Sequence, residues 1–348
     1  MSKCAVVLFN LGGPDAPAAV RPFLFNLFND AAIITLPQPL RGLIAGLIAW
    51  RRAPIARAIY DRIGGGSPLL ANTEAQARAL EAALGDGYRV FVAMRYWPPY
   101  SRAAAEAVKE WNAEQVVLLP LYPQYSTTTT GSSLADWRRA AQAVGLAAST
   151  GAVCCYPEEP GFIDTLAAGI REALLRWPKG EGRRVLLSAH GLPERIVAAG
   201  DPYPWQVERT AAALRAALGL AEVEIVVCYQ SRVGPLAWIG PATDAEIRRA
   251  GGERVGLIVV PIAFVSEHSE TLVELDIEYR HLAASAGVPR YIRVPTAGTA
   301  PAFIAGLAGL VRRAKERADT APCPGDGRRL CPPRFGGCRC RMAAGVSA

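Results

Sequence analysis

Histidine and methionine are scarce in this chain, three of each among 348 residues, so a site built on imidazole has few residues to draw on. No run of five basic residues occurs, and the Arg residues are spread over the whole length. That argues against the basic stripe of a nucleic-acid binder. No apolar stretch reaches the roughly 20 residues needed to cross a bilayer, and the longest lies around Leu43–Trp50. The N-terminus, Met1–Asn10, enters an apolar run at once and offers no signal-peptide cleavage pattern, so the expectation is a cytoplasmic chain without a transmembrane helix. The glycine cluster Gly64-Gly65-Gly66 is not followed by Lys-Ser or Lys-Thr and does not match the dinucleotide fingerprint, which excludes both phosphate-binding motifs.

What is present is material for a large core: 51% of residues are hydrophobic and 20% charged. The net charge of +7 suits an anionic partner, either a carboxylate-bearing ligand or an anionic membrane surface. Apolar runs bounded by turn residues recur at Ala5–Phe9, Val90–Met94, Gln115–Pro120, Val185–Ala189, Val223–Cys228 and Leu257–Pro261. Near-continuous runs of this kind fit strands buried on both faces of a parallel sheet. Between them, Thr73–Leu84, Ser101–Asn112, Phe162–Trp177 and Pro204–Leu218 carry helical periodicity. The alternation predicts an α/β protein of two Rossmann-like, doubly wound domains, 1–155 and 156–319, with ligands in a cleft between them at the carboxyl ends of the strands. The residues 320–348 are rich in Pro, Gly, Arg and Cys and predict an irregular extension without a core of its own.

Five segments carry chemistry. Ser188–Pro193 places His190 at the end of a buried strand, where an α/β fold builds its site, although a satisfied structural histidine fits equally well. Pro261–Tyr279 follows another strand, and its Glu267, Glu270, Glu274 and Glu278 step by three, four and four, which sets them on one helical face. Stacked like charges cost a few tenths of a kcal/mol per pair. A solvated acidic face is the ordinary explanation, but the column begins beside His268 and Phe264, where oxygen ligands and titratable groups suit a divalent cation and protons. Asp61–Pro68 is a tight loop with exposed amides. The hydroxyls of Leu121–Ser133 could cap a helix or bind a carboxylate. Leu36–Tyr60 alternates Leu, Ile and Trp with arginines and reads either as a buried helix or as an apolar lip for a greasy ligand and an anionic bilayer, the Leu40–Trp50 region foremost.

Together these segments resemble the ferrochelatase family over nearly the whole chain. The residues that carry the resemblance are Leu8–Pro14, Arg62–Pro68, Arg95-Tyr96, Tyr122–Ser126, Thr129–Ser132, Ser188–Pro193, Gly200–Tyr203, Gln230–Pro235, Trp238–Pro241 and Pro261–Tyr279. The resemblance implies a lyase of haem biosynthesis that inserts Fe(II) into a porphyrin, protoporphyrin IX foremost, with coproporphyrin or a non-catalytic haem carrier as the alternatives. By resemblance, His190 and Glu270 are the active-site pair that meets pyrrole protons or iron, and Glu267, His268 and Glu274 belong to the same catalytic set. Arg62, Ser67, Arg95, Tyr96 and Phe264 lie near the porphyrin and its propionates. Glu267 stands where many relatives carry Asp. The resemblance leaves peripheral membrane contact and a homodimer open as partners.

Four of the eight cysteines, Cys323, Cys331, Cys338 and Cys340, crowd into the last 26 positions, which in a reducing compartment points to metal more than to disulfides. The paired spacing of structural zinc sites is absent. The tail resembles the extension by which some ferrochelatases hold a 2Fe–2S cluster, with Cys331, Cys338 and Cys340 as ligands and Cys155 as the internal fourth; Cys154 and Cys323 are the alternatives, because Thr127 stands where animal relatives carry the internal Cys. Thiolate ligation would order the extension. Cys4 and Cys228 read as core residues.

Overall fold

A computed structural model describes residues 3–220, 222–232, 234, 236–317 and 328–340. The chain divides into two compact units: the described residues of Met1–Cys155, Ala308–Leu330 and Arg339–Ala348 form one, and those of Tyr156–Leu307 and Cys331–Cys338 the other.

In the first unit β1 (Cys4–Asn10) is followed by the helices α1 (Val20–Phe28), α2 (Leu40–Asp61) and α3 (Leu69–Leu84) before β2 (Tyr88–Met94). Then come α4 (Ser101–Glu110), β3 (Gln115–Pro120), α5 (Thr130–Val144) and β4 (Ser149–Ala152). The strands pair in parallel in the order β2-β1-β3-β4. All seven residues of β1 are buried, as its unbroken apolar sequence requires of a strand covered on both faces.

The second unit repeats the plan with α6 (Pro160–Leu175), β5 (Arg183–His190), α7 (Glu194–Ala198), α8 (Tyr203–Leu218), β6 (Glu224–Gln230), α9 (Thr243–Gly252) and β7 (Gly256–Pro261). A π-helical segment, Glu270–Glu278, runs into α10 (Tyr279–Ala286), followed by β8 (Tyr291–Arg293) and α11 (Pro301–Glu316). Its parallel sheet has the equivalent order β6-β5-β7-β8. The strand order reverses between β1 and β3 in one sheet and between β5 and β7 in the other. A crevice opens at the carboxyl ends of the strands at such a switch point.

The helix α2 is amphipathic in an unusual sense. Apart from Tyr60 near its end, its buried positions are small, Ala45, Ala49 and Ala53, one turn apart, and Ala49 and Ala53 let the helix approach Val20, Phe23 and Leu24 of α1 closely. The large apolar residues Leu40, Leu43, Leu47 and Trp50 face outward and are 47–71% exposed. Of the two readings of this segment, the buried helix is thus replaced by an outward apolar face.

Candidate active site

In the second unit β5 delivers His190 and the turn after β7 delivers Phe264, His268 and Glu270, so the two elements flanking the switch point supply the titratable groups. Gly191 follows His190 because a Cβ there would lie 2.8 Å from the carbonyl oxygen of Gln230; its N–H donates to that same oxygen at 2.8 Å. Nδ1 of His190 donates to the Gly191 carbonyl oxygen at 2.5 Å, which leaves Nε2 as the ring nitrogen that faces the carboxylates. Nε2 faces Glu270 Oε1 at 3.7 Å, and Glu270 Oε2 faces His268 Nε2 at 3.6 Å. The Phe264 ring lies 4.6 Å from the His268 ring and 6.4 Å from that of His190 and walls one side of the group. Tyr203 donates its hydroxyl proton to the His190 carbonyl oxygen at 3.0 Å and fixes the strand end.

The sequence spacing implies one α-helical column of four glutamates, and the structure corrects this. The segment from Glu270 is π-helical, with a wider turn, and π turns cluster at functional sites. Glu267 lies ahead of it, half-buried against Arg293, Glu278 is exposed, and Glu270 and Glu274 sit on the π-helical turns. Glu274 is gripped by donors: Gln230 Nε2 at 3.0 Å, Ser231 N at 2.7 Å, Ser231 Oγ at 2.5 Å and the Tyr279 hydroxyl at 3.0 Å. Ser231 reaches it from the left-handed backbone region, φ 59°.

The two carboxyl groups are pushed apart. Burial raises Glu270, but His190 and then His268 outweigh it and bring the group down to about 2. Burial raises Glu274, the Glu270 charge raises it further, and the donated hydrogen bonds do not fully offset this, so it sits above the ordinary carboxylate value. The two neighbouring carboxyls are thus driven in opposite directions.

In the first unit Arg95 and Tyr96 meet at Asp30. Arg95 Nη2 donates to Asp30 Oδ2 at 2.8 Å, and the Tyr96 hydroxyl donates to the same oxygen at 2.7 Å. Ser132 Oγ also donates to it, at 2.5 Å, while accepting from Arg95 Nε at 2.7 Å. Burial raises the Asp30 carboxyl, but Ser132, the Ala32 N–H, Arg95 and Tyr96 outweigh it, so it stays below its ordinary value. A polar cavity of about 460 Å³ opens beside this knot, lined by Asn26, Asn29, Tyr100 and Asp136 as well as Arg95 and Asp30. Ser67 donates its N–H to the Pro14 carbonyl oxygen at 2.7 Å and its side chain lies where a Cβ on Gly13 would stand; Arg62 is exposed at the end of α2.

Gln230, Ser231, Tyr279 and Asp30 bind these groups in place. The sequence reading gave none of them a role. Gln230 was signalled by its place at the end of β6, level with His190; nothing local to Asp30 marks it.

The expected iron–sulfur extension is overturned. Among the described residues no group of three or more His, Cys, Asp or Glu side chains is arranged to hold a metal ion. Cys154 and Cys155 are buried with their sulfurs 3.3 Å apart, and burial first, then the hydrogen bonds with Cys155 and Cys340, pushes the Cys154 thiol well up, which favours the neutral form over a ligating thiolate. Cys331 accepts from Gln206 Nε2 at 3.1 Å, and Cys338 is half-buried; Cys323 lies outside the described residues. The segment 331–338 is ordered instead by the Gly337 N–H on the Gly200 carbonyl oxygen at 3.1 Å and by Phe335 against Trp205, ring centres 5.8 Å apart. Cys4 and Cys228 are fully buried, their thiols raised chiefly by burial to about 11 and about 12.

The sirohydrochlorin chelatase SirB from Bacillus subtilis subspecies spizizenii, solved with cobalt, shares the fold at a TM-score of 0.52 and 12% identity, covering 90% of this chain and 96% of its own. A ferrochelatase of Caulobacter vibrioides is 54% identical over 347 residues, 98% of this chain and 99% of its own. Those of Phenylobacterium zucineum and Rickettsia bellii are 54% and 45% identical over 97% of this chain and 98% and 95% of theirs. The ferrochelatase family profile matches residues 3–315, and the chain therefore belongs to the ferrochelatase family, lyases that insert iron into a porphyrin.

Proposed function

We propose that the chain inserts Fe(II) into protoporphyrin IX, with His190 as the proton acceptor and the Glu270–Glu274 pair as the proton outlet. A free porphyrin carries two pyrrole protons in a nearly flat ring, so metal enters only when the ring is bent and both protons leave. The observation that carries this reading is Nε2 of His190 held 3.7 Å from Oε1 of Glu270. That gap is too long for a direct hydrogen bond and suits relay through one water or transient contact with the incoming ion. A pyrrole proton taken by Nε2 makes an imidazolium that Glu270 stabilises; Glu274, raised above its ordinary value by burial and by the Glu270 charge, takes the proton onward from its carboxylate form. The Phe264 ring packs beside both imidazoles and restricts their orientation.

Arg62 and Ser67, on the loop after α2, are assigned here to the propionates. The outward face of α2, with Arg41 and Arg51 beside Leu40, Leu43, Leu47 and Trp50, docks peripherally on the cytoplasmic face of an anionic bilayer. An apolar dicarboxylic porphyrin partitions to that surface, which favours protoporphyrin over the tetracarboxylic coproporphyrin.

The test is anaerobic turnover with Fe(II), or with Zn(II) as a stable surrogate, on each porphyrin, followed by loss of the free-base absorption bands. His190→Ala is expected to bind porphyrin as the parent does and to lose most turnover; unchanged turnover refutes its role. A parent chain that binds porphyrin without catalytic loss of those bands is a carrier, and the proposal fails.

A further inference from the structure

Of the four carboxylates between residues 267 and 276, two face a base or a hydroxyl in the site and two do not. Glu267 and Asp276 are both held by Arg293, at the end of β8 and level with Val259 of β7. Arg293 Nη1 donates to Glu267 Oε1 at 2.6 Å, while Nε and Nη2 donate to the two oxygens of Asp276 at 2.9 and 2.5 Å. The guanidinium is buried, and Glu267 takes a further hydrogen bond from the Thr296 N–H at 2.9 Å. One planar fork therefore grips the residue three places before Glu270 and the residue two places after Glu274.

We propose that Arg293 is a positioning residue for iron insertion: by clamping Glu267 and Asp276 it sets the register of the π-helical turns that carry Glu270 and Glu274 and withdraws two of the four negative charges from the site. This rests on the assignment of His190, Glu270 and Glu274 above. A π turn has poorer hydrogen-bond geometry than an α turn and persists where tertiary contacts fix it. Arg293 supplies such a contact at both ends of the segment. Lysine keeps the charge but has no planar fork to serve two carboxylates together. The segment has other anchors, since the Tyr291 hydroxyl donates to the Leu275 carbonyl oxygen at 2.7 Å and Arg280 Nε to that of Asp276 at 3.0 Å. Loss of the fork is thus expected to shift register and leave the unit folded.

The experiment uses the full chain with Arg293→Lys, Asp276→Asn and the double variant, assayed with Zn(II) and protoporphyrin IX and by amide hydrogen exchange without substrate. Expected for Arg293→Lys is a kcat about tenfold or more below the parent with porphyrin KM within about twofold, the signature of misplaced groups rather than lost binding. Asp276→Asn should fall in the same direction, and the double variant no further than Arg293→Lys, because both substitutions open one clamp. Exchange should quicken in 270–278 and stay at the parent rate in β5 and β7. Parent-like kcat in Arg293→Lys, additive losses in the double variant, or exchange quickened across the whole unit would each overturn the proposal. Where Arg293→Lys does not fold, Asp276→Asn is read by the same two criteria. If the parent itself fails to metallate, the proposed function falls, and exchange in 270–278 alone decides the clamp.

Discussion

The outward apolar face of α2 makes a quantitative claim about membrane binding. Fully burying a leucine side chain is worth about 2 kcal/mol, and Leu43, 71% exposed, has about 1.4 kcal/mol of that still to gain. Trp50, 60% exposed with an indole that buries roughly 200 Å², has about 3 kcal/mol, and Leu40 and Leu47 about 1 kcal/mol each. A difference of 1.4 kcal/mol is about tenfold in an equilibrium constant, so Leu43→Ser is expected to weaken partitioning about tenfold and Trp50→Ser about a hundredfold. Sedimentation with sucrose-loaded vesicles of phosphatidylcholine and phosphatidylglycerol measures both. Leu175→Ser is the control: Leu175 is 87% exposed at the end of α6, outside the α2 face, and its loss should change nothing. Exposure is then separated from location. Equal binding by Leu43→Ser and the parent, or an equal loss in Leu175→Ser, would refute the reasoning.

Three further outcomes follow from the buried polar groups. Asp30→Asn removes the charge that balances a mostly buried Arg95 and should destabilise the chain by about 3 kcal/mol, read as a lower urea midpoint. Gly191→Ala forces a methyl to 2.8 Å from the Gln230 carbonyl oxygen and should lower turnover without displacing β5, which a crystal structure of the variant would check. Asp30, Glu267 and Glu270 all lie below their ordinary values of 3.8, 4.5 and 4.5. Each therefore contributes its stability in full above that value and loses it as the pH falls, Glu270 through about 2; Glu274, raised, acts in the opposite sense. Urea midpoints should accordingly drop between about pH 4.5 and pH 2, and a flat profile there would contradict the ion pairs.

The central strands were readable because continuous apolar runs leave a parallel strand little alternative: Gln115–Pro120 has the expected bounds, and β1, β5 and β7 extend theirs by one to three residues. The edge strands β4, with the sequence STGA, and β8, of three residues, gave no pattern because an edge needs neither length nor two apolar faces. The sequence placed His190 at the end of one strand and Glu270 after another, and the structure sets the two side chains 3.7 Å apart. Glu267 and Glu274 looked alike in sequence; Arg293, 26 residues beyond Glu267, and the Thr296 N–H hold the one, and Gln230, Ser231 and Tyr279 the other. The cysteines misled because spacing reveals neither burial nor direction: Cys331 of the tail meets a glutamine amide, and the internal Cys154 a neighbouring thiol.

The alanine seam beneath α2 has a consequence for how such a chain can vary. Methyl groups packed against Val20 and Phe23 leave no room for growth, so one added methylene at Ala49 would pry the helix from its seat. Among the described residues, Leu40, Leu43, Leu47 and Trp50 on the opposite side stay exposed. Lineages living with different lipids are free to retune greasiness there by swapping Leu, Ile, Met or Trp while the scaffold beneath stays still.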